Sequence, residues 1–224
     1  VHNSAVGTTP IKQRSFHERP LLRGHFHQAA FFTALGACIL LVLKSTTSMT
    51  FIASSIFSFG LLLMLATSSL YHRKYWNPQQ YQIMKRIDHS AIFILIAGTF
   101  TPVCLLVLNG PQGRTLLTII WVTAIVGIIK SVFWVKAPKA LSAIMYIVMG
   151  WLVVPYLSDL KDALGWGQII LLALGGVAYT LGGLFYALRR PNLFPQIFEH
   201  HELFHLLTIV GAVFHFSVIY SLIN

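Results

Sequence analysis

Two histidines one helical turn apart can grip a metal ion from the same face, and a third from another segment can complete a three-nitrogen set. This sequence offers such a set. His201 and His205 stand at i and i+4 in "FEHHELFHLLTIVGAVFHF" (198–216), and His72 closes "SSLYH" (68–72). Ser68 repeats the i, i+4 spacing ahead of His72, and Asp88 lies in "RIDHSAIFILIAGTFTP" (86–102). Three imidazoles with a fourth position open to water make a catalytic zinc site, whereas structural sites are usually closed and favour cysteine. All-nitrogen ligation favours zinc in a redox-neutral setting, although imidazole alone leaves iron and copper open. "HELFH" also fits the H-E-x-x-H pattern, whose glutamate is the base of zinc proteases. Glu202, however, sits about 100° round a helix from His201. We read Glu199 and Glu202 as favouring the positive end of the helix dipole.

The elements that must position these residues follow from composition. Of 224 residues, 56% are hydrophobic and only 10% charged, against about 25% charged in a soluble domain. Apolar runs near the roughly 20 residues needed to cross a bilayer recur along the chain. They predict membrane spans at 27–43, 50–71, 89–109, 115–134, 140–157, 168–188 and 201–222, and repeated spans argue against a cleaved signal peptide. Breaks are expected at "SMT", "WNP", "NGPQG", "KAPK", "LGWG" and "RRPNLFP". In lipid each span must satisfy its own backbone hydrogen bonds, so helices follow. The expectation is an all-α membrane protein, a seven-transmembrane helix bundle, with a cytoplasmic segment at 1–26 and the bundle at 27–224.

Basic residues set its direction. With the N-terminus cytoplasmic, Lys12, Arg14, Arg19, Arg23, Arg73, Lys74, Lys85, Arg86, Lys130, Lys136, Lys139, Arg189 and Arg190 fall inside. Lys44, Arg114 and Lys161 fall outside, a bias of 13 against 3 that satisfies the positive-inside rule. Seven spans leave the C-terminus outside. The net charge of +10 then anchors the cytoplasmic face to headgroups, and no nucleic-acid partner is expected. This orientation, derived without the site residues, brings Ser68, His72, Asp88, His201 and His205 to one depth near the inner leaflet. Polar groups at that depth are presumed functional unless a partner explains them.

The remaining residues receive plainer readings. His215 lies about 21 Å beyond His201 by helical rise, too far to share an ion, and is read as a hydrogen-bonded packing residue. His89 and His200 are read as interfacial, and His2, His17, His25 and His27 as lying among headgroups or in a loose tail. Tyr71, Trp76, Tyr81 and Trp151 read as interface or packing aromatics. Cys38 and Cys104, each within an apolar run, read as free thiols. Gly175, Ala178 and Gly182 share a face that permits close helix contact.

The motifs "SSLYH", "RIDHSAIFILIAGTFTP" and "HELFH…HF", in this order, resemble the hemolysin III proteins of bacteria, within the progestin and adipoQ receptor family that includes the adiponectin receptors. The similarity runs from about Arg19 to the end. It implies seven helices, a cytoplasmic N-terminus, residence in the bacterial inner membrane, and zinc held by His72, His201 and His205. It further implies that Asp88 holds or approaches the zinc water and that Ser68 accompanies the site. Receptor members resemble alkaline ceramidases, so the implied activity is hydrolysis of an acyl lipid, a ceramide-like amide, with membrane lipid as partner. On that mechanism Asp88 would take the proton of the water and Ser68 would hydrogen-bond the water or the oxyanion. The long N-terminal domain of animal adiponectin receptors is lacking, so hormone reception is not expected. The alternative is a pore-forming or membrane-sensing protein in which zinc only staples spans together. No filter loop or inverted repeat marks a channel or a transporter.

Overall fold

A computed structural model describes residues 20–108 and 110–223. The readings of His2, Lys12, Arg14, His17 and Arg19 lie outside the described residues. Seven α-helices follow in order: α1 (His25–Leu43), α2 (Ser48–Arg73), α3 (Pro78–Pro102), α4 (Pro111–Phe133), α5 (Lys139–Gly150), α6 (Leu157–Leu188) and α7 (His200–Leu222). A π-helical turn at Val103–Val107 extends α3, and a 3₁₀ turn at Trp151–Tyr156 joins α5 to α6. Among the described residues the only β pairing is an isolated bridge between Phe194 and Phe198.

Six helical runs are long and apolar enough to cross a membrane, one of them the 50-residue run Lys139–Leu188. Leu40, Phe59, Ile125 and Phe133 are among many large apolar side chains on the outer surface, as expected where lipid and not water is the neighbour. One apolar cluster gathers Phe57, Met64, Leu65 and Ile219, and a second gathers Phe93, Ile120, Met149 and Leu160.

The 50-residue run is not straight. Gly165 has φ 77° and ψ 168°, a region essentially reserved for glycine, and it lies within the expected break "LGWG". The chain turns back there. Gly183 faces Ile147, while Trp151 faces Gly176 and donates its indole N–H to Thr180 Oγ1 at 2.9 Å, so α5 and the second half of α6 run antiparallel. The helix that follows Gly165 thus starts close to the expected 168, and residues 157–164 belong to the run that precedes the turn. Gly175 and Gly182 pack against α7, the former beside the His215 ring.

A second boundary also differs. "WNP" was expected to belong to a long loop before residue 89, but α3 begins at Pro78. Asn77 is its N-cap: its side chain accepts from Gln80 N at 2.8 Å, Gln80 returns the contact, and Pro78 fills the first turn. A capped start outweighs the low hydropathy of the turns that follow. Asp88 thus sits ten residues inside a helix, held by its backbone rather than presented by a loop.

Candidate metal centre in the helix bundle

Helix ends build the site. α2 carries His72 in its last turn. α7 opens next to it with a capping box in which Glu199 caps the helix and its backbone N–H donates to Glu202 Oε2 at 2.9 Å. That cap sets His201 and His205 one turn apart on the face toward α2. The Nε2 atoms of His72 and His201 are 3.1 Å apart. Ring centroids are 4.7 Å apart for His72 and His201, 5.0 Å for His72 and His205, and 4.7 Å for His201 and His205.

Donor atoms from these three rings all lie within 4.8 Å of one another. Two nitrogens about 2.0–2.1 Å from a tetrahedral zinc would stand about 3.3 Å apart, close to the observed separation. His205 is 1% exposed and its Nδ1 has no hydrogen-bond partner among the described residues. Clustered imidazoles of this kind fit a nitrogen-preferring divalent cation.

A cavity of about 120 Å³ adjoins the histidines, and Ser68, His72, Asp88, His201 and His205 all line it. Ser68 and Asp88 are buried. Asp88 Oδ2 lies 3.5 Å from His89 Nδ1, whose ring nitrogen also meets Lys85 O at 2.8 Å. Thr208 and His215 line the cavity further along α7. Apart from these groups its walls are mostly apolar, supplied by α3, α5 and α6. A smaller cavity beside it is lined by Lys85, Lys130 and Lys139, and His89 and Tyr186 border both.

Several single residues now have definite places. Glu202 is fully buried and pairs with Arg23, in the turn before α1, in addition to its cap bond. Both carboxylate oxygens are engaged in holding the helix start. His200 is half-buried on the loop side, its Nδ1 2.8 Å from Asn192 Oδ1, and His215 meets Leu172 O at 3.2 Å. His89 is not merely interfacial, since it lines the cavity next to Asp88.

His27 is the larger correction. It is 2% exposed and stacks on His205, with centroids 4.0 Å apart and planes 8° apart. α1 is apolar on every side, so no sequence periodicity distinguishes its inward face. Arg23, in the turn before α1, meets Glu202, and His27, in the first turn of α1, meets His205 on α7.

Comparison with known proteins gives consistent similarities. Residues 16–216 match the family described as Haemolysin-III related. The chain is 33% identical over 193 residues to Hemolysin-3 of Bacillus cereus, covering 85% of each chain. It is 37% identical over 161 residues to the Hemolysin-3 homolog of Bacillus subtilis (strain 168), covering 72% of each. A shorter match, 37% over 98 residues, links it to the heptahelical transmembrane protein ADIPOR2 of Oryza sativa subsp. japonica, covering 38% of this chain and 42% of that relative.

Proposed function

Because this chain belongs to the haemolysin-III-related family, within the wider progestin and adipoQ receptor group, we propose that it is a zinc-dependent hydrolase of an acyl lipid, acting on an amide linkage inside the membrane. One observation carries the reading. A polar cluster of three histidines, Ser68 and Asp88 lines a cavity whose other walls are mostly apolar. An acyl lipid has the same division, with a polar linkage at one end and hydrocarbon beyond it.

His72, His201 and His205 would hold the ion. Zinc bound there would supply Lewis acidity, the means by which such sites make hydroxide available near pH 7. The chain's own residues do the remainder. Asp88, buried and fixed on α3, takes up a proton from water at its carboxylate and returns it to the leaving nitrogen. Ser68, one turn deeper than His72, donates its hydroxyl hydrogen to the carbonyl oxygen as negative charge develops. The apolar walls exclude bulk water and align the chain with the reacting end.

The proposal places seven crossings in the membrane of a bacterium, with the N-terminus cytoplasmic. Its support is the turn at Gly165, which leaves 139–164 and 166–188 each long enough for one crossing. The rice relative is itself named a heptahelical transmembrane protein. Lysines 85, 130 and 139 lie beside the histidine end, in keeping with a site near the positively flanked, cytoplasmic leaflet.

Asp88→Asn tests the chemistry. Purified in detergent and loaded with zinc, it should keep the metal content of the parent, because Asp88 is not among the three ligands. Release of fatty acid from an N-acyl-sphingosine should fall at least about 100-fold, the usual worth of a general base. Unchanged turnover refutes the mechanism. A zinc-loaded parent without turnover would instead favour a metal that only braces α2 and α7.

A further inference from the structure

The mechanism leaves one buried polar side chain unused. His27 lines the same cavity as Ser68, Asp88 and the three candidate ligands, and neither of its ring nitrogens has a hydrogen-bond partner among the described residues. Buried polar groups are nearly always satisfied, and an unpaired one carries its full desolvation penalty. The His205 backbone approaches the ring without a well-formed hydrogen bond, so at 2% exposure the imidazole calls for a partner from the cavity.

A fourth place on the metal does not supply it. An imidazole lone pair lies in the plane of its ring. The His27 and His205 planes differ by only 8° and their centroids are 4.0 Å apart. Stacked rings of that kind cannot both aim a lone pair at one ion about 2.0–2.1 Å away. Simple packing is no better an account, because an apolar flat ring would stack on His205 as well without leaving ring nitrogens short of a well-formed hydrogen bond.

We propose that His27 is a hydrogen-bonding subsite for the lipid, pairing with a group that both donates and accepts, such as a hydroxyl or a secondary amide. A neutral imidazole donates from one nitrogen and accepts at the other, so it matches such a group and mismatches an ester, which has no donor. The subsite selects amide- or hydroxyl-bearing acyl lipids over esters of equal chain length. It rests on the reading of the cavity as an acyl-lipid site, not on turnover. The neighbouring stack on His205 fixes the ring, and Arg23, in the turn before α1, ties that end of the helix to Glu202.

The test is binding by the zinc-loaded, detergent-purified protein of two probes: a fluorescent N-acyl-sphingosine and the methyl ester of the same fluorescent fatty acid. The parent should prefer the amide. His27→Phe keeps a flat ring on His205 and should retain zinc, melting temperature and ester affinity while losing about tenfold in amide affinity, the worth of one hydrogen bond in a closed site. His27→Asn, with donor and acceptor restored, should recover part of the preference. Should the Phe variant not fold, the same comparison between His27→Asn and His27→Leu decides, Asn keeping the preference and Leu losing it. Equal loss for both probes, no loss, loss of zinc from the folded variant, or a parent that does not bind the amide each overturns the proposal. His27-dependent binding in a parent without amide hydrolysis would refute the hydrolase and leave the subsite standing.

Discussion

Glu202 has a fully buried side chain, and Arg23, its partner, is 20% exposed at its side chain. Removing one member of a buried pair strands the other, while the partial exposure of Arg23 lets water recover some of the loss. Glu202→Gln keeps an oxygen for the Glu199 N–H and removes the charge. It should lower unfolding stability by about 1–3 kcal/mol, read from thermal melts in detergent, with zinc content and lipid turnover near the parent's. A 100-fold drop in turnover at full zinc would make Glu202 the base that H-E-x-x-H suggests. Single residues also show what a sequence reveals at this scale. His201 and His205 were legible because their spacing is local and helical, and Glu202 because an acid in a first turn has a standing electrostatic reason to be there. His27 was not. Its role comes from a contact with His205, 178 positions away in the chain, and no local pattern encodes which face of an all-apolar helix turns inward.

At the scale of elements, the seat of α1 decides how tightly the centre is closed. Gly24 precedes that helix with φ 79°, and a Cβ there would stand 2.8 Å from the His72 Cβ and 3.0 Å from the Arg73 Cγ. Glycine is needed for the backbone and for the gap alike. Gly24→Ala should push α1 off α2, at a loss of about 1–3 kcal/mol in stability, and should weaken zinc retention in a chelator competition. Normal retention would mean that α1 does not brace His72. Element boundaries were legible where apolar runs met clear breakers, as at the start of α7 after "RRPNLFP". They were missed where capping chemistry extends a helix through polar turns, as Asn77, Pro78 and Gln80 do for α3. Hydropathy reports which part of a helix prefers lipid, not where its hydrogen bonds begin.

For the molecule as a whole, the number of crossings decides on which sides the two ends emerge. Seven put them on opposite faces. With Cys38 and Cys104, both buried, replaced by alanine, single cysteines introduced ahead of Pro20 and at Asn224 allow a direct reading. An impermeant maleimide applied to intact cells should label the second and spare the first. Labelling of both, or of neither, would require an even number of crossings. The contact between α1 and α7 has a further consequence for how such a chain comes into being. The ribosome releases the His27 segment first and the segment bearing His201 and His205 last. Before that segment emerges, His72 on α2 lacks the two α7 histidines of the candidate set. On the proposed zinc chemistry, a copy cut short before His201 would carry one of the three candidate ligands and lack the other two.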